Sequence, residues 1–345
     1  MDTNDSKTSD MIPFLQYTEE QKRQAFLLTS QKKHLPEPVV EKDWWVTQVL
    51  NILFDLPIAG QLVFKGGTSL SKAWQLIERF SEDIDLAVNP AYFNVTDTPT
   101  KKQIKQLRKR SSLFVAEELS MHLQSALDKT GLASLCHMEV QPNGEGDATY
   151  PEPRVISLLY KSLYEQNVAS YVQPMVKLEI GARSLIEPME QFVCKSMVSE
   201  VLPIPDYTVS AIHVAAPQKT FLEKVFLLHE LFSIPRETIV ANRRSRHLYD
   251  LERMMDKPFA LAAVKDDELW EHIRQHRMAF TAMVGVDYEG GIRSRLCLTP
   301  PQPVLSDWEE DYRKMCQTMI YGDRLPFDKL MERMHELERR FRERE

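Results

Sequence analysis

The chain has 345 residues, 43% hydrophobic and 27% charged, and a formal net charge of −7. This length is sufficient for two compact domains, and the composition is that of a globular protein and not of a disordered one. No apolar run approaches the roughly 20 residues that span a bilayer, and the polar residues 1–6 are unlike a secretory signal. The scattered cysteines, with no CxxC pair, argue against a zinc or disulfide framework and favour a reduced, cytoplasmic protein.

Hydrophobic periodicity divides the chain into a mixed half and a helical half. Helical patterns cover residues 19–33, 39–54, 68–79, 102–129, 217–231, 240–256, 267–284 and 326 onward. Strand patterns cover residues 61–65, 84–88, 135–141, 154–160, 172–180 and 207–214. The sequence therefore predicts an α+β fold made of an N-terminal tail and helix (1–38), a mixed domain (39–210) and a mostly helical C-terminal domain (211–345).

An adjacent glycine pair directly after the 61–65 strand is informative in a chain with only 11 glycines. Glycine lets a backbone approach a phosphate closely. Thr68 and Ser69 can cap the following helix, whose first turn offers free N–H groups to an anion. A tight turn without a ligand is the alternative for this motif alone. The candidate nucleotide-binding residues are Lys65, Gly66, Gly67, Thr68, Ser69 and Lys72.

The next predicted strand carries two carboxylates on one face. Asp83 and Asp85 are two residues apart, so both side chains project to the side opposite Ile84. Two carboxylates suit magnesium, or manganese, which binds a few such groups together with substrate phosphate oxygens. An isolated Asp-x-Asp is more often an exposed edge or loop. A strand, a glycine turn, one helix and then Asp-x-Asp is a more specific succession, and it predicts metals beside a triphosphate.

Further candidates lie later in the chain. Glu179 shares the polar face of the 172–180 strand with Lys177, where it could complete the metal site, act as a general base, or simply face solvent. In the helical half, Asp250 falls at helical spacing from Arg243 and Arg246 or His247, with Lys224 on the preceding helix. Lys224 could reach a triphosphate that Asp250 orients; surface ion pairs of little energetic value are the alternative.

Two basic runs are candidate contacts for an RNA backbone. The first contains six cations and no anion within residues 101–110, and a solvated helix face explains it equally well. The candidate RNA-binding residues are Lys101, Lys102, Lys105, Arg108, Lys109, Arg110, Arg243, Arg244 and Arg246. His272 and His276, four apart on a predicted helix, have no third zinc ligand and are expected to be solvated.

Two segments together resemble a known family. Residues 64–72 (FKGGTSLSK) and 79–86 (RFSEDIDL) closely resemble the AbiEii/AbiGii nucleotidyltransferase toxins, which belong to the polymerase-β-like superfamily and have the MenT toxins as relatives. Weaker similarity is present at residues 41–45, 220–224 and 246–251. The resemblance covers about 40–255, and residues 256–345 match nothing recognisable.

The resemblance implies an activity and roles for the candidate residues. Residues 66–69 become the triphosphate turn, Asp83 and Asp85 the magnesium ligands, and Lys224 and Asp250 the residues required from the helical half. Glu179 is a weaker correspondence, because the third acidic position varies among relatives.

The family also implies a toxin of a two-gene toxin–antitoxin or phage-defence system, with an antitoxin partner encoded beside it. Some relatives add nucleotides to the 3′ end of tRNA. The expected reaction is therefore transfer of NMP from an NTP to an acceptor hydroxyl, foremost the tRNA 3′ end, with release of pyrophosphate. The alternatives are AMPylation of a protein hydroxyl and a non-catalytic nucleotide-binding module.

Overall fold

A computed structural model describes residues 11–81, 83–95, 99–165, 172–207, 209 and 211–344. The helices are α1 (Glu19–Lys33), α2 (Glu37–Leu53), α3 (Gly66–Lys72), α4 (Lys101–Phe114), α5 (Ser120–Thr130), α6 (Met197–Val201), α7 (Pro217–Ser233), α8 (Arg246–Met254), α9 (Pro258–Lys265), α10 (Asp267–Phe280), α11 (Leu305–Thr318) and α12 (Phe327–Arg342). The strands are β1 (Leu62–Lys65), β2 (Asp83–Val88), β3 (Cys136–Val140), β4 (Arg154–Tyr160), β5 (Met175–Gly181), β6 (Met189–Phe192) and β7 (Ile212–Ala215). Helix and strand together confirm the predicted α+β class.

The strands of the described residues form a seven-stranded mixed sheet in the order β3-β4-β5-β2-β1-β7-β6. The central strands β1 and β2 are antiparallel, whereas β2 runs parallel to β5 and β1 parallel to β7. Because β1 and β2 are antiparallel neighbours, the end of β1 and the start of β2 meet at one edge of the sheet. The sheet also takes a strand, β7, from beyond position 211, the predicted start of the helical domain.

Two large hydrophobic clusters stabilise the molecule. The first joins the sheet to helices α1, α2, α4 and α5, and Trp45 in α2 stacks on Tyr160 with ring centroids 4.8 Å apart. The second is formed by the six helices from α7 through α12 and includes Leu70 of α3 and Ile77. The segment after β1 therefore packs into the helical half while its strand stays in the sheet. No helix in the described part of the chain is long and apolar enough to cross a membrane.

Local chemistry explains several element boundaries. Thr18 and Gln21 form a capping box that starts α1, and His34 ends this helix in the left-handed conformation at φ 56°. The predicted helix 102–129 corresponds to α4 and α5, joined by a π-helical turn at Val115–Leu119. Gly131 ends it at φ 85°.

Two helix predictions differ markedly from the structure. The helix predicted to reach position 79 ends at Lys72, and Gln75 has a φ of 52° in the loop beyond it. The helix predicted at 240–256 begins only at Arg246. Arg243 has a φ of 57°, and its backbone N–H donates to Asp311 at 2.6 Å. Arg243 therefore does not share a helical face with Asp250, although the spacing predicted that it would.

Several elements were not predicted. They are β6, α6, α9 and α11. Strand β6 has only four residues and no buried position, so the alternation of apolar and polar residues that marks a half-buried strand is missing. Of the strand predicted at 207–214, β7 begins at Ile212, and positions 208 and 210 lie outside the described residues.

Candidate active site

The central strand pair brings the glycine turn and the carboxylates together. In the β1–β2 register Lys65 lies opposite Asp85, and in the parallel β2–β5 register Asp85 lies beside Glu179. Asp83 and Asp85 are half-buried, while the intervening Ile84 is fully buried on the other face. The expected one-sided projection of the two aspartates is thus confirmed, and the side chain of Glu179 shares their face.

Both glycines of the turn are required by close contacts. Gly66 has a φ of +79°, and a Cβ there would lie 2.0 Å from Oδ2 of Asp85. A Cβ on Gly67 would lie 2.6 Å from Nη2 of Arg79. Any larger residue would therefore displace a carboxylate of the site or the guanidinium beneath the turn.

Thr68 and Ser69 play a different role from the one their positions suggested. They lie inside α3, whose N-cap is Lys65 without a side-chain hydrogen bond, so they do not cap the helix. The buried hydroxyl of Thr68 donates to the carbonyl of Asp83 at 2.5 Å. The hydroxyl of Ser69 donates to the carbonyl of Gly66 at 2.9 Å. The side chain of Thr68 therefore holds the turn against β2, whereas that of Ser69 bonds within the first turn of α3, and neither lines the surface that a ligand would meet.

Lys72 lies outside the site. It forms a buried ion pair with Asp43 of α2, whose other carboxylate oxygen accepts from the backbone N–H of Met197 at 2.7 Å. Although burial alone lowers the pKa of Lys72, the charge of Asp43 raises it above its ordinary value. Lys72 lines another cavity, of about 360 Å³, which contacts Arg79 and Ser81 but neither Asp83 nor Asp85. It is a tertiary anchor between α3 and α2.

The helical half contributes a buried charge cluster of Arg79, Lys224 and Asp250. Nε and Nη2 of Arg79 donate to the two carboxylate oxygens of Asp250 at 2.7 and 2.8 Å. The ammonium of Lys224 lies 2.9 Å from the same carboxylate. Burial alone would raise the pKa of Asp250, but the two cations hold it far below its ordinary range. The cluster carries two positive charges against one negative charge, so it is net positive.

The position of Arg79 is set by the C-terminal region. Arg79 forms an antiparallel β-bridge with Ile320, and the N–H of Phe80 donates to the carbonyl of Met319 at 2.8 Å. A Cβ on Gly322 would lie 2.4 Å from Cβ of Glu78. The loop that follows α11 thus holds the backbone that carries Arg79 toward Asp250.

These groups surround one cleft of about 400 Å³. Of the predicted site residues, those that line it are Lys65, Gly66, Gly67, Asp83, Asp85, Glu179, Lys224 and Arg246. Asp250 lies beneath it, fully buried. Arg243 and Arg244 are not among its lining residues, and neither are the six cations of residues 101–110, of which Lys101, Lys105 and Arg108 line another cavity.

Several residues of the cleft were missed. Arg79, Arg183, Glu223, His276 and Arg277 line it although no role was predicted for them. Arg79 begins the 79–86 motif and Glu223 lies in the 220–224 segment, and these positions were the available signals; the other three residues had none. His276 is not solvated as expected, because it is half-buried and stacks on Phe280 with ring centroids 4.5 Å apart. Burial, followed by the charge of Arg277, lowers its pKa to about 3, so its imidazole is neutral.

The electrostatics of the cleft fit a divalent cation. Burial raises the pKa of Asp85, and the neighbouring carboxylate of Glu179 raises it further against the charge of Lys65. Such a carboxylate is stabilised by an added positive charge. Within the described part of the chain no three His, Cys, Asp or Glu side chains are close enough to hold one ion. Asp83 and Asp85, on one face of β2, could together hold a divalent cation that also binds phosphate oxygens.

Lys177 and His247 complete the surroundings. The ammonium of Lys177 forms an ion pair with Glu179, and although burial alone lowers its pKa, that pairing raises it. The expected part of Glu179 in metal binding or base catalysis stays a prediction. Burial, followed by the charge of Lys224, holds the pKa of His247 well below its ordinary value. The neutral Nδ1 of His247 lies 3.3 Å from the ammonium of Lys224.

Comparison with known proteins identifies the family. No curated protein matches the chain. Among solved structures, MenT4, a nucleotidyltransferase toxin from Mycobacterium tuberculosis H37Rv, is 15% identical with a TM-score of 0.49, over 95% of this chain and 88% of that chain. The family model described as the nucleotidyl transferase AbiEii toxin of type IV toxin–antitoxin systems matches residues 48–333. It extends well past position 255, where the visible resemblance had ended. Because this match spans most of the chain, the protein belongs to the AbiEii family of nucleotidyltransferase toxins.

Proposed function

We propose that this nucleotidyltransferase transfers NMP from an NTP to the 3′-terminal hydroxyl of an RNA, foremost tRNA, and releases pyrophosphate. The observation that carries the proposal is the juxtaposition of Asp83 and Asp85 with Lys65 and Lys224 around the glycine turn in one cleft. Paired carboxylates hold divalent metals, and the surrounding cations suit a triphosphate. A cognate antitoxin, which the family implies, is the expected protein partner.

Lys224 is the best-placed ligand for the triphosphate. Its ammonium has three donors and contacts Asp250 and His247, and it lies within the cleft. Because Arg79 also neutralises Asp250, the charge of Lys224 is only partly compensated by that carboxylate. Lys224 would therefore attract a phosphate while staying fixed in direction, which favours an oriented triphosphate.

Asp83 and Asp85 would hold magnesium or manganese, which when bound neutralises phosphate charge and lowers the barrier to in-line attack on the α-phosphate. The glycine turn lets the triphosphate approach the backbone beside these carboxylates. Glu179 lies beside Asp85 and could accept the proton of the acceptor hydroxyl, with Lys177 holding its carboxylate in place. In this proposal Lys224 and the glycine turn bind and orient the triphosphate, and Glu179 deprotonates the acceptor hydroxyl.

The test is incubation of the purified protein with each α-labelled NTP, magnesium and total tRNA. Label is expected in tRNA with the wild type and to be absent with Asp83→Ala/Asp85→Ala. Asp307→Ala, which removes an exposed carboxylate on α11, is the matched control and should label normally. Label on a protein band with none in RNA would replace RNA transfer by AMPylation. Absence of label anywhere would contradict the proposal.

A further inference from the structure

The cleft does not end at the catalytic carboxylates. A second cavity of about 260 Å³ shares Lys65, Asp85, Glu179 and Arg183 with it. A third cavity, of about 480 Å³, lies against α4 and is also lined by Arg183. Because Arg183 lines all three spaces, they adjoin one another at its side chain, which links the carboxylates with the N-terminal half of α4.

The six cations of α4 lie in different surroundings. Lys101, Lys105 and Arg108 are spaced four and three residues apart, so they share one face, and all three line the third cavity. Nε of Arg108 donates to the carbonyl of Tyr150 at 2.8 Å, which fixes one side of that cavity. Lys101 and Lys105 are exposed.

The remaining cations of α4 do not line this cavity. Lys102 and Lys109 are seven residues apart and lie on a neighbouring face of the helix. The ammonium of Lys109 lies 5.3 Å from the ring centroid of Tyr150. Arg110 donates to the carbonyl of Phe93 at 3.0 Å. The run that looks uniform in the sequence therefore contains three cations that line the third cavity and three that do not.

Arg183 connects the cleft with the α4 face. Its Nη2 donates to the carbonyl of Phe280, which orients the guanidinium. Its Nε is buried without a hydrogen-bond partner, and no described carboxylate forms an ion pair with it. The carboxylate of Glu152 in the second cavity accepts from Ser111 and from the N–H of Ala182, each at 2.6 Å. The charge of Arg183 acts on the nearby carboxylate of Glu152 and is compensated in part, but because Arg183 has no close ion pair among the described residues, the remainder is available to a phosphate.

We propose that the track formed by Lys101, Lys105, Arg108 and Arg183 holds the phosphates of the single-stranded RNA segment that precedes the acceptor hydroxyl. The inference rests on the proposed transfer to RNA. The three α4 cations extend over about 10 Å of helix axis, long enough to meet more than one phosphate of a strand. A polyanion placed there would have its terminal hydroxyl at the Asp85 end of the track. Because the whole chain has a net charge of −7, RNA binding would depend on a local basic surface such as this track.

The experiment compares two double variants of the full-length protein. Lys101→Ala/Lys105→Ala removes two charges from the track, and Lys102→Ala/Lys109→Ala removes two from the neighbouring face. Binding of a fluorescent 12-nucleotide single-stranded RNA is titrated between low and moderate salt. The track variant is expected to bind at least tenfold more weakly and to lose about 1.4 from the slope of log K against log salt, since each phosphate contact contributes about 0.7. The control should change less than twofold.

Label transfer to tRNA separates this inference from the proposed function. If the wild type labels tRNA and the two double variants bind and label RNA equally, the track is wrong while the transferase function stands. If the wild type labels no RNA at all, the proposed acceptor is wrong and the track falls with it. Weaker labelling by the track variant at limiting RNA, restored at high RNA concentration, would support the path as a binding surface.

Discussion

Gly66→Ala is the sharpest perturbation of the site that the structure offers. Gly66 has a φ of +79°, and an added Cβ would lie 2.0 Å from Oδ2 of Asp85. The left-handed backbone alone costs about 1 kcal/mol for a residue with a Cβ. The contact must also lengthen to at least 3.4 Å for ordinary packing, so the carboxylate has to move by more than an ångström.

The displacement is expected to reduce catalysis far more than stability. A misplacement of about 1 Å costs on the order of 100-fold in rate, or about 2.7 kcal/mol of transition-state stabilisation. We expect kcat/KM for label transfer to fall at least 100-fold, and the free energy of unfolding to fall by about 1–3 kcal/mol. Single-turnover transfer and urea unfolding measure the two quantities separately.

Gly60→Ala is the matched control, because a Cβ there meets no atom within 4 Å. It should change activity less than twofold and stability by less than about 0.5 kcal/mol. A double-mutant cycle on the free energy of unfolding isolates the clash with the carboxylate. In an Asp85→Ala background, Gly66→Ala should cost little more than the backbone strain of about 1 kcal/mol, because only Cβ of position 85, at 3.1 Å, remains close to the added Cβ. A folded Gly66→Ala protein with activity within threefold of the wild type would refute the reasoning.

Three further predictions concern Asp250, Asp85 and Gly322. Asp250→Asn leaves two buried cations without their partner and should lower the free energy of unfolding by about 3–5 kcal/mol at pH 7. Because the pKa of Asp250 in the folded protein is below its ordinary 3.8, the ionised carboxylate contributes its full stabilisation above pH 3.8 and loses it as the pH falls below that value. Urea unfolding should therefore show a smaller difference in stability between the wild type and Asp250→Asn in acid. Asp85→Asn should not lower the melting temperature in the absence of metal, because burial disfavours the charged carboxylate. Magnesium with a non-hydrolysable NTP should raise the melting temperature of the wild type only. An equal rise in both proteins would contradict the metal site. Gly322→Ala should reduce kcat/KM about tenfold by displacing the backbone of Glu78 and Arg79, although it lies outside the cleft; unchanged kinetics would show that the loop after α11 does not position Arg79.

The sequence alone determined the central part of the site. The strand, the glycine pair and the Asp-x-Asp strand lie within 30 residues, so strand periodicity and glycine's conformational freedom were enough to predict how they meet. The structure confirms the shared face of Asp83 and Asp85 and places Gly66 against Asp85. Local patterns of this kind depend on neighbours in the chain, and these are visible in the sequence.

Only the tertiary structure decided which distant groups complete the site. Arg79 and Asp250 are 171 positions apart, and no local pattern indicates that they form an ion pair. Lys72 was assigned to the nucleotide because it follows the glycine turn, yet the direction of α3 takes it to Asp43. Arg183 obtains its position from the loop after β5 and from the end of α10.

The six cations of α4 show the same division between sequence and structure. Their helical spacing was readable from the sequence, but which face meets the cleft depends on how the helix packs on the sheet and on Arg183. Contacts between distant elements depend on the packing of whole hydrophobic faces, whose mutual orientation is decided by many small apolar contacts. A sequence pattern predicts that a helix or strand has an apolar face. Which element packs against that face is decided only when the two hydrophobic clusters form.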